Sequence, residues 1–213
     1  FTDATAQMAG DFEKIGMVTG LEWANLDSDP ALELVATGEW MPVSIFKFSG
    51  GKMVNATAQF GLENTHGLWQ SLTVADLNGD GKQDLLTGNF GKNTRLRASE
   101  AQPLQLFYQD FDGNGTIEPI MTMFEPDGQR YPLARHDVML KQMPSLKKDY
   151  LFARAYGSAT YEKLFAKNKI ENAKVVKANM LATTWWENQG GRFVAHELPL
   201  LAQTSITFGS VVQ

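Results

Sequence analysis

Asp76-Leu77-Asn78-Gly79-Asp80-Gly81-Lys82-Gln83-Asp84 is an acidic nonapeptide that recurs along this chain. Asp110-Phe111-Asp112-Gly113-Asn114-Gly115-Thr116-Ile117-Glu118 repeats it, and Asn25-Leu26-Asp27-Ser28-Asp29-Pro30-Ala31-Leu32-Glu33 is a more divergent third copy. Oxygen-bearing side chains fall at positions 1, 3, 5 and 9 of every copy, and glycine holds position 6 in two of them. This is the donor set of a hard cation. Calcium takes about six to eight oxygen ligands, and closely spaced side chains plus a main-chain carbonyl supply most of them from one turn. Glycine lets the chain bend until those oxygens converge. Lys82, Thr116 and Ala31 stand at position 7, where only the backbone oxygen is needed, so a lysine there does no harm. Each copy keeps three carboxylates, which repel one another without a cation. In the first copy Pro30 replaces the glycine and fixes φ at a negative value. Whether that copy binds metal stays open at the level of sequence.

The flanks decide what kind of loop this is. An EF-hand loop needs a bidentate glutamate at position 12 and helices on both sides. Position 12 is Thr87, Met121 or Ala36 here. The flanking residues are β-formers: Leu72-Thr73-Val74-Ala75 and Leu85-Leu86-Thr87 about the second loop, Leu106-Phe107-Tyr108 and Ile120 to Phe124 about the third. These read as strand, loop, strand, so the expected element is a calcium hairpin on a sheet.

The repeat extends beyond the loops. Gly20 to Ala24 precedes the first as Ser71 to Ala75 precedes the second, and Leu34 to Gly38 follows the first as Leu85 to Gly88 follows the second. Those two loops lie 51 residues apart, a period suited to a four-stranded propeller blade. The third lies only 34 residues further on, and its expected place is an outer hairpin of the same blade. Ser44–Phe48 with Lys52–Val54, and Thr183–Glu187 with Arg192–Glu197, read as two further hairpins. Between them Arg135 to about Lys174 reads helical, in runs from Asp137, from Leu146 to Tyr156 and from Tyr161 to Ala173. Tyr150, Leu151 and Ala155 suit one buried face, Tyr161, Leu164 and Phe165 another, and Ser158 or Thr160 suits a cap. Ser205 to Gln213 looks like a strand leading into another loop, so the expectation is a piece of a longer repeat protein.

Composition sets broad limits. The 213 residues are 43% apolar and 11% aromatic, enough for a substantial core. There is no cysteine, which removes disulfides and thiolate chemistry. No apolar run approaches the roughly 18 residues of a membrane span. The sequence begins at Phe1-Thr2-Asp3 with no signal peptide, so export would imply a leader already removed. The net charge of -5 argues against a nucleic-acid partner. The charge is uneven: residues 133–177 hold ten Lys and Arg against four Asp and Glu, the remainder nine against twenty. A basic helical insertion, 133–177, is therefore expected within a single acidic β-rich domain, 1–213.

No catalytic constellation stands out. His66, His136 and His196 are far apart and lack metal spacing. Arg135-His136-Asp137 has the letters of a kinase catalytic loop without the glycine loop and lysine that go with it. Glu39 beside Trp40 and Glu187 beside Trp186 read as interfacial tryptophans with solvated neighbours. Lys92, Arg95 and Arg97 read as a solvated basic face, and the basic insertion is the better partner surface.

With these residues in view, the loops resemble FG-GAP/VCBS repeats, the calcium-bearing units of integrin-α-like β-propellers. Phe1–Thr5, Gly38–Pro42, Gly88–Asn93 with Arg97–Ser99, Leu106–Gly115, Tyr131–Leu133, Lys141–Pro144 and Lys177–Asn179 are similar to secreted bacterial VCBS-repeat proteins related to the ASPIC/UnbV and cartilage-acidic-protein group. The resemblance implies a mainly β fold, a partial β-propeller of two to three blades plus the start of another, carrying a short α-helical insertion. It implies export to the cell surface, periplasm or beyond, with calcium as a structural ion. By position the ligands are Asp76, Asn78, Asp80, Asp84, then Asp110, Asp112, Asn114, Glu118, and in the divergent copy Asn25, Asp27, Asp29, Glu33. Two or three blades do not close a propeller of about four to eight. Either the chain is cut from a full propeller or copies associate through open blade edges. The expected function is a non-catalytic module binding a protein or glycan. The alternative is a propeller-type polysaccharide lyase or glycoside hydrolase with an unrecognised active site.

Overall fold

The computed structural model describes residues 2–27 and 29–212, so the expectations touching Phe1 and Gln213 lie outside the described residues. The chain divides into two compact units, Phe1–Arg95 with Ala178–Gln213, and Leu96–Lys177.

The first unit opens with a single helical turn, α1 (Thr5–Met8), and then builds a sheet. β1 (Met17–Ala24) and β2 (Glu33–Met41) form an antiparallel hairpin around the first acidic loop, with Ala24 opposite Glu33. β3 (Ser44–Ser49) and β4 (Lys52–Asn55) complete the order β1-β2-β3-β4, and the two-residue β5 (Gly67–Leu68) pairs with the far end of β2. β2 is buried on both faces from Val35 to Gly38, as its Leu-Val-Ala-Thr run requires of a strand inside a packed sheet. β6 (Ser71–Ala75) and β7 (Asp84–Gly88) make the second loop-bearing hairpin, with Ala75 opposite Asp84.

The chain then leaves for the second unit. β8 (Leu104–Gln109) and β9 (Glu118–Phe124) pair around the third acidic loop, and β10 (Arg130–Pro132) continues that sheet. Four short helices follow: α2 (His136–Gln142), α3 (Ala153–Gly157), α4 (Tyr161–Leu164) and α5 (Lys167–Asn172), with a 3-10 turn at Pro144–Lys148. β11 (Lys174–Ala178) closes the sheet in the order β10-β9-β8-β11. Phe107, Phe111 and Ile120 of the hairpin share one core with Met139, Tyr156 and Tyr161 of the helices. Arg130 lies over the Phe107 and Tyr161 rings at 4.7 and 5.1 Å and pairs with Glu162, tying β10 to α4.

On its return the chain adds β12 (Thr184–Asn188) and β13 (Phe193–Glu197) beside β7, giving the order β13-β12-β7-β6. Both sheets of the first unit therefore share one plan, a main path of four antiparallel strands in sequence order with the acidic loop between the first two, to which the first sheet adds β5. The second is interrupted after its second strand by everything from 89 to 183. Trp69 and Trp186 meet edge to face at 5.9 Å in the core where the two sheets pack, with Val35, Ile45 and Leu85 around them. Among the described residues none of the sheets closes on itself.

The expected hairpins all form. Several details differ. The third loop belongs to its own sheet, not to an outer hairpin of the second. The helical run is more broken than its pattern implied: Pro144 starts a 3-10 turn, and Phe165 takes extended φ/ψ, which ends α4 and lets its ring pack on Phe111 at 4.4 Å. Leu151 and Ala155 are exposed, and Tyr156 takes the buried place beside Tyr150. Thr160 sits at the N-cap of α4 but makes no side-chain cap bond, while Ser158 donates back to the carbonyls of Arg154 and Ala155. Trp186 is core, not interface. Residues 206–212 form no strand. They lie along β6 through side-chain bonds, Ser71 Oγ to the Thr207 carbonyl at 3.1 Å and Thr73 Oγ1 to Ser210 Oγ at 2.7 Å. Among the described residues no helix is long and apolar enough to cross a membrane.

Candidate metal centre

The three acidic loops share a hydrogen-bond scheme that explains each acidic position. The position 9 carboxylate is buried and turns back to accept the N–H of position 2. Glu33 Oε2 takes Leu26 N at 2.8 Å, Asp84 Oδ2 takes Leu77 N at 3.1 Å, and Glu118 Oε2 takes Phe111 N at 2.8 Å. Position 3 accepts the N–H of position 5: Asp27 from Asp29, Asn78 from Asp80, Asp112 from Asn114. Position 5 accepts the N–H of position 7: Asp29 from Ala31, Asp80 from Lys82, Asn114 from Thr116, at 2.7 to 2.9 Å. These are Asx turns in series, which is why short oxygen-bearing side chains must alternate along the loop.

Position 1 separates the copies. Asp76 wraps its carboxylate around the N–H groups of Gly79, Asp80 and Gly81, and Asp110 does the same with Gly113, Asn114 and Gly115. Both glycines of each loop sit at φ of 78 to 86°, where an L side chain is strained. Those backbone N–H bonds, Gly115 first, hold the Asp110 carboxyl below its usual range, with the Lys169 charge adding to them. In the first copy Pro30 has no N–H to offer and Asn25 no charge. Asn25 Nδ2 instead donates to the Asp29 carbonyl at 2.6 Å.

The carboxylates gather unequally. Among the described residues, ligand oxygens of Asp110, Asp112 and Glu118 lie within 4.8 Å of one another, and so do those of Asp27, Asp29 and Glu33. In the second loop Asp80 turns to Lys82 Nζ at 2.6 Å, a contact that also lowers the Asp80 pKa, while Asp84 stays buried. The donor set of the third loop, two aspartates, Asn114 and a buried glutamate, fits a hard divalent ion by chemistry and convergence. The second has the same donors with one swung aside. The first has three converging carboxylates already facing Lys47.

Other residues support the loops without a sequence signal of their own. Gln83 Oε1 accepts Asn25 N at 2.7 Å. Asn188 on β12 donates from Nδ2 to the carbonyls of Leu26 and Gln83 and from its backbone to Asp84 Oδ1, knitting the first two loops together. Lys169 on α5 donates to the Asp110 carbonyl at 2.8 Å. The sequence repeat finds only residues inside the repeating unit, and these lie outside it or at its variable positions.

The remaining candidates are dispersed. Lys92 pairs with Glu197, and Arg97 pairs with Glu125 at 2.8 Å. His196 stacks on Trp185 and bonds Glu187 at 3.0 Å, which holds the Glu187 carboxyl below its ordinary range. Glu39 accepts from Gln70 Nε2 at 2.7 Å, and His136 bonds the Tyr150 carbonyl at 2.8 Å. Of these, Glu187 meets an acidic-loop side chain, accepting from Asn78 Nδ2 at 3.4 Å.

Residues 25–87 match the family model of the FG-GAP-like repeat. The matched segment runs from the first acidic loop through the second and ends on β7, so it covers one full loop-to-loop period. No curated protein matches the chain.

Proposed function

We propose that this chain is a calcium-stabilised module of propeller blades that acts outside the cytoplasm and binds a protein or glycan without catalysing a reaction. The observation that carries this reading is the common loop scheme, a buried position 9 carboxylate and serial Asx turns between paired strands, with the acidic oxygens of the third loop converging within 4.8 Å. The FG-GAP-like match over 25–87 supports the repeat part of this reading; kinship with secreted VCBS-repeat proteins of the ASPIC/UnbV and cartilage-acidic-protein group is part of what is proposed. Asp110, Asp112, Asn114 and Glu118, with the Thr116 carbonyl, would hold one ion. Asp76, Asn78, Asp80 and Asp84, with the Lys82 carbonyl, would hold another. Bound calcium supplies the positive charge that offsets three crowded carboxylates. The chain's own part is to fix the oxygens with backbone N–H bonds before the ion arrives, so little ordering is left to the binding step.

The test is thermal melting of metal-stripped protein with and without calcium. An ion that binds only the folded state adds about 2.7 kcal/mol per site at a hundredfold excess over Kd. The melting temperature is expected to fall on chelation and to recover on adding calcium. An unchanged melt, with metal removal verified, ends the calcium reading. New reducing ends or unsaturated products in a polysaccharide screen would establish the lyase or hydrolase alternative instead.

A further inference from the structure

Lys47 lies on β3, outside all three acidic repeats, yet its side chain ends inside the first of them. Its ammonium bonds Asp27 Oδ2, lies 3.1 Å from Asp29 Oδ2 and 3.6 Å from Glu33 Oε1. Those three carboxylates occupy loop positions 3, 5 and 9, the side-chain ligand positions of the repeat. Lysine has three N–H donors and no acceptor, so one ammonium meets three anionic oxygens. Glu33 is fully buried, and its Oε1 has no hydrogen-bond partner among the described residues. It faces the ammonium, and among the described residues no other cation pairs with it. A buried carboxylate without a counter-charge is costly, so the loop as folded requires a cation at this point.

The strand register shows why this loop differs from the second. Leu34 stands opposite Phe46 on β2 and β3, and one step further along places Lys47 opposite Glu33. Leu85 stands opposite Trp186 on β7 and β12, and the same step places Glu187 opposite Asp84. The equivalent site of the two sheets therefore carries a cation beside the first loop and an anion beside the second. In the third loop Lys169 donates to the Asp110 backbone oxygen, and its charge acts on the Asp110 carboxyl without a direct ion pair among the described residues.

We infer that the Lys47 ammonium is the resident cation of the first loop, so that the β1–β2 hairpin is closed without a divalent ion. The inference rests on the calcium reading for its contrast with the other two loops, but it can be judged without it. Pro30 and Asn25 then follow as tolerated changes: a loop whose cation is tethered does not need the N–H wrap that a captured ion requires.

Two measurements on the full chain decide the matter. In calcium calorimetry of metal-stripped protein, Asp29→Asn is expected to leave the stoichiometry unchanged, whereas Asp112→Asn removes one ion. Loss of an ion on Asp29→Asn overturns the inference. In melts under EGTA, Lys47→Met is expected to lower the melting temperature by several degrees, and adding Glu33→Gln to it, which removes the buried charge and keeps an acceptor for Leu26 N, should recover most of the loss. Additive losses in that series overturn the inference. If the wild type takes no calcium in any loop, the calcium reading falls alone, and the EGTA series still decides the role of Lys47. Should Lys47→Met fail to fold, the Asp29→Asn titration stands by itself.

Discussion

Position 9 of each acidic loop is a structural residue before it is a ligand. Asp84 accepts Leu77 N with one oxygen and Asn188 N with the other, in a fully buried setting. Asp84→Ala leaves the buried Asn188 N unpaired, at ~1–3 kcal/mol, and the half-buried Leu77 N unpaired at a smaller cost. Urea unfolding in EGTA should show this loss without calcium being present, and Asp84→Asn, which keeps one of the two acceptor oxygens, should show less. Equal stability of Asp84→Ala and wild type in EGTA would mean the carboxylate serves the metal alone. Asp110 makes a different prediction. Its folded pKa lies below the ordinary value, so its contribution to stability is full above about pH 4 and is lost as pH falls through the lowered value. The stability difference between wild type and Asp110→Asn should therefore shrink on acidification of metal-free protein. A difference that stays constant from pH 6 down to acid unfolding would show that the N–H wrap around Asp110 does not act through its charge.

Elements here are fixed as much by close approach as by propensity. Gly88 ends β7 where the C-terminal segment crosses it. A Cβ at Gly88 would lie 2.1 Å from the Thr207 carbonyl oxygen and 2.2 Å from Ser71 Oγ. Gly88→Ala should thus force 206–212 away from β6, with a cost of about 1–3 kcal/mol as for other overpacked sites. Amide exchange at Thr207, which donates to the Asn89 carbonyl at 3.0 Å, should rise in that variant. Unchanged protection at Thr207 would show that the segment is held elsewhere. The same segment explains why a strand expected from Ser205 onward does not form. Its neighbours on β6 answer with the hydroxyls of Ser71 and Thr73, and a side-chain bond carries no ladder register. The hairpins, by contrast, were fully legible. Their alternating β-formers on either side of a nine-residue acidic turn leave one pairing that buries the apolar face. The helices were legible as a region but not as elements, because pieces of four to seven residues take their ends from packing on Phe107 and Phe111.

At the scale of the molecule, the first unit is two sheets of one design with their own core, and the second sheet is split by a long excursion. Gly91 N donates to the Leu181 carbonyl at 2.7 Å, so the two chain ends of that excursion are pinned together inside the first unit. Replacing 96–177 by a short Gly/Ser linker should leave a cooperatively unfolding protein with native near-ultraviolet signals from Trp69 and Trp186. A product without cooperative unfolding would show that the first unit depends on the excised residues. The sequence by itself determined the three acidic loops, their hairpin setting, the β-rich class and the helical region. Each rests on local period, local turn chemistry or composition. Only the tertiary structure decided that the third loop heads a separate sheet, that Asn188 joins the first two loops, and that Lys47 fills one loop while Glu187 flanks the other. Those facts depend on which strand lies beside which. Strand neighbours are chosen by burial and register across long sequence separations, so a repeat read along the chain does not contain them.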